Sequence, residues 1–176
     1  MIRRITGTVV GLVVVGAAAH VSLGQDPDQA GRTVTGRVSA VSDGDTLRVS
    51  DDAGQNLGRV RMLGINAPEL AHDNNPEQCG AKQAASRLAQ LAPPGTIVQL
   101  ATDPTQADRD TYGRLLRYVQ VDGQDLQLTL LTEGYAVPFW PRGQGTRSTS
   151  YLAAARVAEH DHRGLWSACP PEGTPR

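Results

Sequence analysis

The stretch from Thr33 to Ile65, "TVTGRVSAVSDGDTLRVSDDAGQNLGRVRMLGI", decides the architecture. Its first part alternates: Val34, Gly36, Val38 and Ala40 oppose Thr35, Arg37 and Ser39, the period of a half-buried strand. "SDGD" then makes a turn, "TLRVS" a second strand, "DDAGQN" another turn and "GRVRMLGI" a third strand. Three short strands joined by tight turns form an antiparallel meander.

Toward the C-terminus the period changes. In "PEQCGAKQAASRLAQL", Pro76 to Leu91, residues Cys79, Ala81, Ala84, Ala85, Leu88 and Leu91 recur at near-helical spacing, and "APPG" stops the helix. "TIVQLA" is a fourth strand and "RLLRYVQVDG" a fifth. Asp125 can cap "LQLTLLTE", whose end Gly134 marks. After a loop rich in Pro, Gly and Arg, Ser148 or Thr149 opens "SYLAAARVAEHDHR", stopped by Gly164. There is no internal repeat. The order βββ-α-ββ-α-α predicts an α+β fold, a five-stranded OB-type β-barrel with three packed α-helices, whose faces and loops often bind nucleic acid or sugars.

At 176 residues, with 39% apolar and 4% aromatic residues, the chain suffices for one domain with an aliphatic core. Arg3 and Arg4 precede "ITGTVVGLVVVGAAA", an apolar run of signal-peptide length followed by small residues. Cleavage after Ala19 or Gly24 is the preferred reading. An uncleaved anchor reaching Leu23 is the other, although His20 and Ser22 weaken it as a span. The expected layout is therefore 1–24 as signal peptide or anchor, 25–35 as a flexible leader, 36–169 as the folded domain and 170–176 as a disordered tail. The protein is expected outside the cytoplasm, touching a membrane only through residues 5–23 if they are retained.

Export changes how the two cysteines read. In an oxidising compartment Cys79 and Cys169 form an even pair, and a disulfide leads over two unpaired buried thiols. It would close a loop of about 90 residues, worth roughly 4 to 5 kcal/mol of loop-closure entropy.

Removing residues 1–24 leaves 15 basic against 18 acidic residues, which excludes a general polycationic field. A polyanion would have to be held by a few placed arginines. Lys82 is the only lysine, and arginine suits bidentate phosphate contacts.

Three segments carry the chemistry: "VSDGDTLRV", "RVRMLGINAPEL" and "DRDTYGRLLRYV". Each alone has a plain explanation as a turn or loop. Together they supply oxygen ligands, a carboxylate base and two arginines at strand ends of one barrel. Phosphodiester hydrolysis needs this set: oxygen donors for a hard cation, a base for the attacking water, and arginines for the phosphate.

The combination "SDGDT", "RMLGINAPE" and "DTYGR", with the later "EGYA" and "GLWS", resembles the staphylococcal nuclease-like (thermonuclease) family over Gly36 to Trp166. The resemblance implies an OB-type barrel and a calcium-dependent nuclease acting on DNA and RNA. It implies Asp45, Asn66 and the Ala67 carbonyl as metal ligands, and Arg61, Glu69 and Arg114 as catalytic residues with Glu69 the base. Tyr112 would lie near the bound phosphate, and Asp43 would support the metal site from behind. Asn66 stands where the family usually carries aspartate, so the metal site has one charge fewer.

The alternative is a catalytically weak OB module that holds single-stranded nucleic acid or another anionic polymer; a disulfide-stapled structural or inhibitor domain comes third. No protein partner is implied, and a monomer is expected. His72, His160 and His162 read as surface residues. Phe139 and Trp140, beside Arg142 and Arg147, form either a base-stacking edge or packing against the barrel. Trp166 is expected in the core.

Overall fold

The computed structural model describes residues 31–73 and 75–169. The expected signal or anchor, residues 25–30 of the leader and the expected disordered tail lie outside the described residues. Strands β1 (Thr33–Val41), β2 (Thr46–Ser50) and β3 (Asn56–Met62) form the antiparallel meander that the alternation predicts. Thr33 to Thr35, inside the expected leader, are therefore strand, because they pair with Ala101, Leu100 and Gln99. Next come a two-residue strand β4 (Ile65–Asn66), helix α1 (Ala81–Leu91) and strands β5 (Ile97–Ala101) and β6 (Leu115–Val121).

Strand β5 pairs antiparallel with both β1 and β6, and β6 pairs parallel with β3. That last pairing closes a five-stranded OB-type barrel. Strand β1 serves two neighbours, β5 through its first half and β2 through its second. Its register slips between Val38 and Ala40, a bulge that bends the strand around the barrel. Val38, Leu47, Val49, Val60, Val98 and Leu100 fill the interior at no more than 1% exposure. Gly36 also points inward, where a Cβ would collide with Val49.

Helix α1 begins at Ala81 rather than Pro76. Gly80 sits at φ 82, a left-handed conformation that no right-handed helix can contain, so the apolar spacing before it is not helical. After β7 (Gln124–Asp125), helix α2 (Leu126–Thr132) is capped as expected, the Asp125 carboxylate accepting the Leu128 N–H at 2.9 Å. Gln127 is fully buried: its Oε1 accepts the Val119 N–H and its Nε2 donates to the Arg117 carbonyl, both at 3.0 Å. The side-chain amide thus docks α2 onto β6.

Strand β8 (Val137–Pro138) pairs with β4, and helices α3 (Ser148–His160) and α4 (Leu165–Ala168) are the last elements of the described residues. The one-turn α4 is too short to show a period. Its single buried side chain is Leu165, which leaves Trp166 half-buried instead of in the core. The expected disulfide joins Cys79 to Cys169 with Cα atoms 5.8 Å apart. Trp140 packs against the core and stacks on Tyr151 at 6.3 Å, whereas its neighbour Phe139 is exposed. Among the described residues no helix is long and apolar enough to cross a membrane.

Candidate active site

Arg61 lies on β3, between Thr46 of β2 and Leu116 of β6. An arginine is tolerated in this apolar strand because both of its terminal nitrogens are engaged. Nη1 donates to the carbonyls of Met62 and Ile65, both at 2.8 Å. Nη2 donates to Asn66 Oδ1 at 3.0 Å and pairs with Asp45 Oδ2 at 3.1 Å. Arg61 therefore straps the β3–β4 turn closed while only 9% exposed. Gly64 in that turn has φ 78, and a Cβ there would come within 2.9 Å of the Trp140 ring.

The "SDGD" turn brings a carboxylate to the same point. Asp43 Oδ1 accepts the Asp45 N–H at 3.0 Å, which orients the turn. Asp45 Oδ1 accepts the Thr46 hydroxyl at 3.0 Å, and its Oδ2 accepts the Ala67 N–H at 2.8 Å. Gly44 is wedged so tightly that a Cβ would lie 2.6 Å from the Ala67 methyl and 2.7 Å from that of Ala84 on α1. Asp45 is 2% exposed. Burial pushes its carboxyl up to about 7; Arg61 opposes that rise and the neighbouring Asp43 carboxylate adds to it.

Arg114 is held differently. Its Nε donates to Asp110 Oδ2 at 2.6 Å, while Asp110 Oδ1 accepts the backbone N–H groups of Arg114 and Tyr112, both at 2.9 Å. Burial would raise the Asp110 carboxyl, but the bonds from Arg114 win and hold it below the usual carboxylate range. The guanidinium lies 5.4 Å from the Tyr112 ring centroid, a cation–π contact. Among the described residues neither terminal nitrogen of Arg114 has a hydrogen-bond partner, so its fork is free to meet a ligand.

Arg61, Arg114 and Tyr112 line one cleft of about 480 Å³ together with Arg109, Phe139 and Arg142. Asp45, Asn66 and Ala67 are not on its wall; Asp45 and Asn66 join it through Arg61, and Ala67 through Asp45. Glu69 is half-buried just after Pro68 and does not line the cleft. Its backbone is gripped by Gln78, and its carboxylate bonds to no described residue. Asp110, which holds Arg114, and Arg109, which lines the cleft, were not singled out from the sequence, although both stand inside "DRDTYGR". The signal for Asp110 was its spacing of four from Arg114. His72, His160 and His162 are exposed, and among the described residues no three His, Cys, Asp or Glu side chains form a metal-binding group.

A family model described as "Staphylococcal nuclease homologue" matches residues 59–168. The chain is 40% identical over 129 residues to endonuclease YncB of Bacillus subtilis, covering 71% of this chain and 58% of that protein. It is 31% identical over 133 residues to the thermonuclease of Staphylococcus hyicus, covering 76% of each. It is also 43% identical over 94 residues to the SPbeta prophage-derived endonuclease YokF of Bacillus subtilis, covering 53% of this chain but 30% of that protein. The chain thus spans less than two thirds of both Bacillus proteins. Because the matched span runs from within β3 to the end of α4, it takes in Arg61, Arg114 and the parallel strand pair that closes the barrel, and the chain belongs to the staphylococcal nuclease homologue family.

Proposed function

We propose that the domain is an exported, calcium-dependent nuclease that hydrolyses phosphodiester bonds of DNA and RNA in the cleft between Arg61 and Arg114. The observation that carries this reading is the meeting in one cleft of the Arg61 guanidinium from β3 and the Arg114 guanidinium from the turn before β6, beside a buried carboxylate. The names of the relatives, endonuclease and thermonuclease, support it. The Cys79–Cys169 disulfide and the Arg3–Arg4 apolar leader support export.

The two arginines divide the work. Arg114 offers its free fork to two phosphate oxygens. Arg61 has both terminal nitrogens engaged, so it contributes a fixed positive charge where negative charge grows on the phosphate; it needs no reorganisation to do so. Glu69 lies off the cleft wall and reaches the site through the attacking water itself, accepting its proton as the new P–O bond forms and the opposite P–O bond breaks, with the departing oxygen taking a proton from solvent. The exposed rings of Tyr112 and Phe139 offer stacking faces to bases splayed from the strand.

Asp45, Asn66 and the Ala67 carbonyl would hold the calcium ion. The donors fit a hard cation: all are oxygens, and Asp43 and Asp45 press two carboxylates together in one turn, a repulsion that a cation relieves. When bound, the ion supplies charge neutralisation and polarisation of the phosphoryl oxygen.

One observation favours the second reading, a module that binds single-stranded nucleic acid without turnover: the Asn66 oxygen is already taken by Arg61. Digestion of plasmid DNA and RNA by the purified protein across a calcium titration, with a chelator control, separates the two. The nuclease reading expects cleavage that rises with calcium and stops in chelator. Binding without cleavage would establish the second reading. Undiminished cleavage in chelator would remove calcium from the first.

A further inference from the structure

We propose that the Cys79–Cys169 disulfide, acting through Gln78, is a positioning device for Glu69, and that opening it lowers turnover while leaving nucleic-acid binding intact. This rests on the reading of Glu69 as the base.

Glu69 is the first residue of a loop that ends at Gly80. Gln78 closes the base of that loop with two bonds to the Glu69 backbone. Its Oε1 accepts the Glu69 N–H at 2.9 Å, and its own N–H donates to the Glu69 carbonyl at 3.0 Å. Farther out, His72 and Asn75 exchange backbone bonds of 3.2 and 2.9 Å. The described residues from Ala71 to Gln78 are all exposed. These bonds therefore compete with water and hold the loop only weakly. Among its described residues the loop has no buried side chain to hold it, so its order depends on how its two ends are fixed.

The two ends are fixed by different means. At the start, Ala67 is seated against Gly44 and its N–H is bound by Asp45. At the far end, Cys79 follows Gln78 directly and is covalently joined to Cys169, which is 9% exposed. Gly80 presses on Leu165, whose N–H is bound by the Gly134 carbonyl at 2.9 Å. The disulfide thus fixes Cys79 to the block that α4 builds on the domain. Cys79 fixes Gln78, and Gln78 fixes Glu69. A base must lie within hydrogen-bond reach of the proton it removes. A displacement of about 1 Å can cost on the order of 100-fold in rate. Neither Gln78 nor the disulfide borders the arginine cleft, so substrate affinity should not follow the loss.

The test compares the oxidised protein, the protein reduced by excess dithiothreitol, and the variants Cys79→Ser/Cys169→Ser, Gln78→Met and Gln78→Glu. Reduction takes two electrons and two protons from the dithiol, leaving two protein thiols and the cyclic disulfide of the reagent. Three quantities are read: kcat and KM on a DNA oligonucleotide with calcium, Kd for the same DNA in chelator, and hydrogen exchange at the Glu69 amide by NMR. Opening the disulfide, by either route, and Gln78→Met should each lower kcat by about 10- to 100-fold. KM and Kd should stay within about threefold, and exchange at Glu69 should quicken by about tenfold while amides of β1 to β3 stay protected. Gln78→Glu keeps the acceptor and should retain most of the turnover.

Unchanged kcat on reduction and in Gln78→Met would overturn the proposal. So would a fall in kcat that arrives only with lost binding and faster exchange throughout, the mark of a purely structural bridge. Should the reduced protein unfold, Gln78→Met carries the same test with the disulfide intact. Should the oxidised wild type cleave nothing, the nuclease reading fails by itself. Exchange at Glu69 then still decides whether the disulfide governs the clamp, and unchanged exchange rejects it.

Discussion

Replacing Asp103 by asparagine removes a charge that the loop beside the cleft hangs from. Asp103 is 4% exposed, and its carboxylate accepts five hydrogen bonds. The hydroxyl of Tyr118 (2.6 Å), the Thr146 N–H (2.7 Å) and the Thr146 hydroxyl (3.0 Å) reach Oδ2. The Thr105 N–H (2.8 Å) and hydroxyl (2.7 Å) reach Oδ1. An asparagine keeps one acceptor oxygen and turns an NH2 toward the remaining donors. If the oxygen stays on Thr105, the buried Tyr118 hydroxyl and the Thr146 N–H both lose their acceptor. At roughly 1 to 3 kcal/mol for each donor left unmade, and less for Thr146, which water can reach, the loss is about 3 kcal/mol. For a domain of this size that corresponds to a fall in Tm of about 10 °C.

The same variant has a pH signature. Burial would raise the Asp103 carboxyl, but the bonds from Tyr118, Thr146 and Thr105 outweigh it and hold the group below its ordinary value. A folded-state pKa that is depressed adds stability that is complete above the unfolded value, near pH 4, and is lost as pH falls through the folded one. The gap between wild type and Asp103→Asn should therefore be full at pH 7 and narrow below about pH 4. Urea unfolding followed by tryptophan fluorescence at pH 7 and pH 3 measures both. A loss under about 0.5 kcal/mol at pH 7, or a gap equal at the two pH values, would refute the assignment of Asp103 as the charged anchor of this loop.

The remaining predictions concern the site itself. Asn66→Asp keeps the acceptor for Arg61 and adds a charge, so calcium affinity of the free protein should rise on the order of tenfold. Equal affinities by calorimetry would mean that position 66 does not face the ion. Gly44→Ala drives a methyl into Ala67 and Ala84 and should cost about 1 to 3 kcal/mol in thermal unfolding. It should also lower kcat, because the turn carrying Asp45 has to move. Asp110→Asn loosens the grip on Arg114 and should reduce kcat/KM by about 10- to 100-fold in a steady-state assay with an unchanged circular dichroism spectrum.

Much of this molecule was legible in short stretches of sequence. Alternation placed β1 to β3, turn residues divided them, and Asp125 announced the start of α2. These signals are local, since a strand's period and a cap's chemistry depend on residues within a few positions of each other. The pairing of Cys79 with Cys169 was legible as well, because two cysteines allow one bridge. The motifs singled out Arg61, Arg114 and Tyr112, and the fold brings these three to one cleft.

Tertiary structure decided what depends on distant partners. Closure of the barrel needs β3 and β6 to meet in parallel, and neither strand's pattern names the other. The late start of α1 follows from the backbone at Gly80, where the disulfide and Leu165 constrain a stretch whose apolar spacing alone reads as helix. The roles of Asp103, Asp110 and Gln127 appear only when the donors they satisfy are brought to them. The engagement of Arg61 with Asp45 and Asn66, and the separation of Glu69 from the cleft wall, arise in the same way. A side chain's period tells which face it occupies, but the groups it meets there are set by how separate strands and turns are seated against one another.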